Sequence, residues 1–338
     1  MKKILKKVLP SVIFTKVREL MRYQRLKKSF LYDLNHYFKH SMNLSDYEED
    51  KLISRIVLDT HVIEKGLTMP EARLGFGLAR LNILMENMRL FIQSYDVANP
   101  QLLHGFSVLQ EYVDFHEKHN HAIDSQALAN YNKLVILKES KDITFTSREQ
   151  RNISKSDYFL NAESSFFEFS ESRSSLRNYS AERVSQETLK QALDLARNTP
   201  SACNRQSVRV HLYRDLTEIS KILEVQGGNR GFGHLANFLI AVTFKPKIYF
   251  EQNERNSGHV DGGMYAMNIL YALHCNKLAA CILNAAHAPA KDKKMRSVAN
   301  IPDDEIFVAF IAGGIPPDDF KIARSFRYPL DYVLTEHN

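Results

Sequence analysis

Two long apolar runs, Phe238 to Phe244 and Ile306 to Ala312, constrain this chain of 338 residues more than any other feature. Strands so poor in polar side chains must be covered on both faces, which puts each run in the middle of a sheet with helices above and below. Val208, Val210 and Leu212 alternate with Arg209, His211 and Tyr213, as in a half-buried strand, and Ala279 to Asn284 gives a further short one. Helical patterns at 215–224, 261–276 and 290–299 separate them. Mixed helices and strands around a β-rich centre define an α+β layer fold with a central mixed sheet.

The first half reads differently. From Lys16 to Lys138 apolar residues recur three and four apart, with no strand-like alternation, which predicts four to six helices. Breaks fall at Gly66 with Pro70 and at Asn99-Pro100. The polar stretch Lys141 to Asn161 separates the halves, and Phe166, Phe167 and Phe169 mark re-entry into a core. The expected parts are a basic arm over 1–28, an all-helical extension over 29–150 and a second domain over 160–338.

Three cysteines, with Cys275 and Cys281 six apart, argue for reduced thiols in the cytoplasm and against a zinc site. The start is basic, but Pro10 interrupts its short apolar run, so it is not read as a signal peptide, and no window is long enough to span a membrane. The net charge of +6 is concentrated in the arm, where Lys2, Lys3, Lys6, Lys7, Lys16, Arg18, Arg22, Arg25, Lys27 and Lys28 face one acid, Glu19. Such an arm suits a solvated helix face, peripheral contact with anionic lipid at the inner face of a membrane, or docking on protein; nucleic acid is the weakest of its readings.

The chemistry is concentrated between Arg173 and Gln206. Arg173-Ser174-Ser175-Leu176-Arg177-Asn178-Tyr179 groups guanidinium forks with hydroxyl donors, the set that a phosphate dianion needs. An amphipathic helix follows, with Ser185 as N-cap and Leu189, Ala192, Leu193 and Ala196 on one face. It leads to Pro200-Ser201-Ala202-Cys203-Asn204-Arg205-Gln206, whose Asn204 and Gln206 amides both donate and accept. Gly231-Phe232-Gly233-His234-Leu235-Ala236 imitates a dinucleotide fingerprint, but it follows a helix and enters a strand, the reverse of what that motif requires.

These two motifs, in this order and one helix apart, resemble the nitroreductase-like family of FMN-dependent oxidoreductases, and the likeness extends over the last half of the chain through Asp261-Gly262-Gly263 and Gly314-Ile315-Pro316. The resemblance implies FMN held by Arg173, Ser174, Ser175 and Arg177 at the phosphate, and by Pro200, Ser201, Asn204 and Gln206 at the ring. It further implies a backbone donor to flavin N5 near Leu283 and Asn284, and more phosphate cations at Arg324 and Arg327. The family's chemistry is carried by flavin N5 and not by a protein side chain. NADH or NADPH reduces the flavin and a small-molecule acceptor reoxidises it by a ping-pong mechanism, in a homodimer whose sites draw on both chains. Ser207-Val208 replaces the family's usual Pro-aromatic pair, which changes the acceptor pocket. His61, Glu64 and Lys65 near Gly66 read either as a helix end or as a lid over the flavin, and Phe232 as a pocket residue. No metal site is expected. The alternative class is a scaffold that keeps the fold and is recruited to a membrane or complex by its basic arm.

Overall fold

The computed structural model describes residues 11–41 and 47–337. Lys2, Lys3, Lys6 and Lys7 of the expected arm lie outside the described residues. Among the described residues five helices make up the N-terminal region: α1 (Ser11–His40), α2 (Glu49–Leu67), α3 (Leu78–Ser94), α4 (Pro100–Lys118) and α5 (Ser125–Ser140). In α2 the buried residues Leu52, Ile53, Ile56, Thr60, Ile63, Glu64 and Leu67 recur at helical spacing and face α3 and α4. Pro100 occupies the first turn of α4, and Asn99 caps it by accepting from the Gln101 amide. Leu84, Met88, Phe91, Leu102, Val108 and Leu109 complete a core of this region's own. α1 buries none of its described side chains; it is tethered by Asp33, which takes both arms of the Arg255 guanidinium at 2.6 and 2.7 Å, and by Arg22, which donates to Phe250 O at 3.0 Å.

Gly66 departs from the expected C-cap. α2 runs through it to Leu67 and ends at Thr68. The glycine is needed for space, since a Cβ there would lie 1.9 Å from the Phe76 ring.

The C-terminal region contains β1 (Arg151–Ser154), α6 (Lys155–Tyr158), α7 (Phe166–Ser172), α8 (Gln186–Ala196), β2 (Val208–Tyr213), α9 (Leu216–Gln226), β3 (Phe238–Phe244), α10 (Ser257–Cys275), β4 (Ala279–Asn284), α11 (Pro289–Ala299), β5 (Ile306–Gly314), β6 (Asp319–Ile322) and α12 (Leu330–Val333). The main sheet has the order β2-β3-β5-β4, so the two apolar runs are its central strands, as their composition requires. Leu239 and Ala241 face α9 and α11, while Phe238, Ile240 and Val242 face α8 and α10. A mixed sheet was expected, yet every pairing in this sheet is antiparallel. The reason is local to each connection: α9 and the glycine-bearing loop after it return the chain to the end it left, so Tyr213 pairs with Leu239 and Val208 with Phe244. β1 and β6 form a separate antiparallel pair.

Two other expectations are corrected. Phe166 and Phe167 are each 71% exposed, because the face of α7 nearest the core carries Phe169 against Tyr271 and His274. The α10 helix begins at Ser257, a turn before Asp261, and Asp261 serves a loop rather than opening the helix.

Candidate functional site

The Arg173 to Tyr179 segment is extended and runs outside the edge strand β4, where the Leu176 amide donates to Ala280 O at 3.2 Å. Leu176 is fully buried, the Tyr179 hydroxyl lies 2.7 Å from Leu176 O and 3.0 Å from Ala312 O, and the Tyr158 hydroxyl donates to Ser174 O at 2.6 Å. Alternate side chains are thereby turned outward. Below the segment, Ser172 gives its one hydroxyl proton to Phe169 O, so the His274 Nε2–H is the donor in its 2.9 Å contact with Ser172 Oγ. His274 Nδ1 is then a buried nitrogen without a partner. Burial first, and the Arg173 charge second, lower the His274 pKa to about 4.

Arg173, Ser174, Ser175 and Arg177 line a cavity of about 430 Å³ together with Arg324 and Arg327 from the segment after β6. None of these four arginines has an ion-pair partner among the described residues. The Arg173 Nε is buried with no hydrogen-bond partner, whereas Arg324 Nε donates to Glu149 O and an Arg327 terminal nitrogen to Ser325 O. An orphaned guanidinium donor among unneutralised cations and two serines fits an anionic, multidentate acceptor.

His61 and Glu64 line the same cavity, so two of the three residues read as a lid meet the phosphate-type residues. They do not form a turn or flap. They lie in the last two turns of α2, on either side of buried Ile63, which makes them a wall. Lys65 is half-buried beside this wall and does not line it; burial, then the Arg177 charge, lower its pKa from the usual lysine value. Gln101, His104, Thr60, Ile282 and Phe326 also line the cavity and carried no sequence signal, because each lies in an ordinary helix, strand or coil pattern far from either motif.

The second motif is placed elsewhere. Pro200, Ser201 and Gln206 border a separate hollow of about 140 Å³ with Arg197, Arg209, Asp261 and Tyr265. Cys203, Asn204 and Gln206 have φ of 52°, 53° and 49°, left-handed values that three non-glycine residues so close together adopt only when the surroundings hold them. Asp261 is that hold. Its two carboxylate oxygens accept the Ala202 amide at 3.1 and 3.2 Å, and the Tyr249 hydroxyl donates to it at 2.7 Å. Ser201 Oγ accepts the Gln206 amide at 3.0 Å, and the Gln206 side chain donates to Asn204 Oδ1 at 3.2 Å. Both amide side chains are exposed.

Phe232 is 1% exposed and belongs to the core under α9, not to a pocket, because the loop before β3 folds it inward. Leu283 is likewise core, paired with Phe310. Asn284 closes β4 opposite Ala309 and donates its side-chain amide to Ala286 O. A wider cleft of about 760 Å³ between the end of α2, α4 and the β1–β6 pair is lined by Glu71, Glu111, Asp114, Glu149 and Asp319 against Lys118 and Lys321, an acid excess unsuited to a phosphate.

Residues 171–229 match the nitroreductase family. That span starts two residues before Arg173 and ends at Asn229, so it contains both motifs and α8 between them. The helices α1 to α5 all lie before the matched span. Among solved structures, the chain is similar to an FMN-dependent nitroreductase of Clostridium difficile, with 20% identity over 50% of this chain and 97% of that one at a TM-score of 0.42. It is similar to a candidate nitroreductase of Desulfovibrio desulfuricans in complex with FMN, with 23% identity over 52% and 98% at 0.42. It is also similar to a nitroreductase family protein of Clostridium novyi, with 17% identity over 45% and 86% at 0.40. No curated protein matches. Among the described residues no helix is long and apolar enough to cross a membrane, and no cluster of His, Cys, Asp and Glu is built to hold a metal.

Proposed function

We propose that this protein is an FMN-dependent oxidoreductase that takes electrons from NADH or NADPH and passes them to a small-molecule acceptor. The observation that carries this reading is the set of four arginines, without acid partners, that gather with Ser174 and Ser175 around one cavity inside the half that holds the nitroreductase-family match. Arg173, Ser174, Ser175, Arg324 and Arg327 would hold the FMN phosphate, and Arg177 the adjoining anionic part. Bound FMN supplies reversible hydride transfer at N5, which lets donor and acceptor use the site in turn. The chain's own work is to bind and orient: the arginines fix the phosphate end, and the amides of Asn204 and Gln206 offer paired donors and acceptors to a heterocycle edge.

The two motifs border different hollows within one chain. We infer a homodimer in which the amide loop of one copy completes the arginine cavity of the other. Exposed Phe166, Phe167, Tyr332 and Val333, and the aromatic face of α1 with Phe30, Tyr37 and Phe38, supply apolar surface for such a contact.

Absorbance of the purified chain, followed by FMN titration, tests the reading. Arg173→Ala should weaken FMN roughly tenfold to a hundredfold and leave riboflavin, which has no phosphate, nearly unchanged. Equal FMN affinity in parent and variant, or a colourless protein that FMN cannot reconstitute, overturns it.

A further inference from the structure

The arginine cavity has one wall that the family-matched segment does not supply. α2 contributes His61 and Glu64 to it, and α4 contributes Gln101 and His104. Glu64 is the one acid lining the cavity, and it is only 2% exposed. Its oxygens are divided between three donors: Oε2 lies 3.2 Å from His61 Nδ1, and Oε1 lies 2.9 Å from His104 Nε2 and accepts the Ser325 amide at 3.2 Å. Burial alone would raise its pKa. The hydrogen bonds from His104 and His61 and their charge overcome that, and the pKa falls to about 2.

The two histidines are not equivalent. The His104 side chain is 8% exposed and stacks on Phe326 with ring centroids 5.7 Å apart, so together with the Ser325 amide it clamps Glu64. The His61 side chain is 38% exposed. With Nδ1 tied to a fixed carboxylate, His61 has Nε2 left for another partner, and the carboxylate sets the ring's orientation. The charged and titratable groups around His61 are Glu64 and Lys65 on α2, His104 on α4, Arg173 and Arg177 beside β4, and Arg324 and Arg327 after β6. All but Glu64 are cationic or can become so. A dianion in the cavity gives His61 a reason to bind a proton.

Resting on the anion-cavity reading above, we propose that His61, positioned by Glu64, is a fifth and pH-gated cation of the phosphate site, so that the cavity takes up a phosphate dianion together with a proton. The helical extension then controls ligand retention directly. Histidine ordinarily titrates near pH 6.5 and the second ionisation of a phosphate monoester lies near 6, so the effect is read above both, from about pH 6.5 to 8.5. A dianion that raises an imidazole pKa by about one unit changes affinity about tenfold across that range.

The test is calorimetric titration of the full chain with a phosphate monoester, phenyl phosphate, from pH 6.5 to 8.5, in buffers of different ionisation enthalpy, which reports protons taken up per phosphate. The parent should take up a large fraction of a proton and lose about tenfold in affinity as pH rises. His61→Gln should abolish the uptake and flatten the profile at the weak value. His61→Lys, charged throughout the range, should be flat at the tight value. Glu64→Gln should shift the profile toward lower pH while circular dichroism shows an intact fold. A parent with no proton uptake, or His61→Gln with undiminished uptake, overturns the proposal. Repeating the titration with FMN and riboflavin separates the two readings. Phosphate binding with proton uptake but without FMN binding removes the flavin and keeps His61; FMN binding without proton uptake does the reverse; no binding of either removes both.

Discussion

The arginine cavity and the amide loop are held by opposite means. The cavity collects four arginines that have no ion-pair partner among the described residues, so they are available to a ligand and contribute little to the fold. The loop is a strained backbone fastened by one buried acid, Asp261, and its amides are presented by a structure that depends on that fastening. One end of the candidate site is therefore built from surplus charge and the other from stored conformation. The cavity also spans both regions of the molecule, whereas the loop is made within the sheet half alone.

The largest effect expected from this contrast lies beneath the cavity, at His274. Its pKa in the folded chain, about 4, is below the ordinary value near 6.5, so the unfolded chain takes up the proton first. The stability it contributes is complete above about pH 6.5 and is lost as pH falls toward 4, a change of about 3 kcal/mol. Urea midpoints at pH 7 and 4.5 should show His274→Gln losing less stability than the parent between the two. Equal losses would mean that the floor under Arg173 is not what acid attacks.

A smaller effect is expected at the loop. Asp261→Asn keeps the shape but loses the charge and one acceptor, and should cost about 1 to 3 kcal/mol in urea unfolding. If the loop's conformation survives without cost, the strain must be held elsewhere. The smallest change in stability is expected at Arg177. With no ion-pair partner to lose, Arg177→Ala should shift unfolding by no more than about 0.5 kcal/mol, while phosphate affinity falls about tenfold. A variant destabilised as much as Asp261→Asn would erase the distinction between the two ends.

Both motifs were legible in the sequence because each is contiguous. The phosphate-type residues fall within five positions, and the loop is announced by a capped amphipathic helix with Ser185 at its start. The central strands were legible because burial on two faces leaves little choice of side chain. What sequence could not give is the α4 side of the wall, since His61 and Glu64 of α2 already read as a lid. His104 meets Glu64 across 40 positions and Gln101 meets Phe326 across 225, and neither helix carries a pattern that distinguishes these residues from surface polar ones. Gly66 misled for a related reason: a glycine before a break usually ends a helix, and here it makes room for Phe76, a neighbour that only tertiary packing supplies. Phe166 and Phe167 misled because hydrophobicity alone does not say which face of a short helix meets the core, and Phe232 because a glycine-flanked loop can turn its aromatic inward.

The contact between the Ser325 amide and Glu64 joins residues 261 positions apart, nearly the full reach of the chain. During synthesis the N-terminal helices can pack as they emerge, since their core is made of their own side chains. The wall acquires its last donor only after residue 325 has cleared the ribosome. Until then Glu64 has its two histidines and no backbone clamp, so the newly made chain carries an unfinished anion site. Ligand capture is thereby deferred until the segment after β6 has been made, and a chain cut before Ser325, though its sheet and the helices through α11 are all present, would have the cavity open at one side.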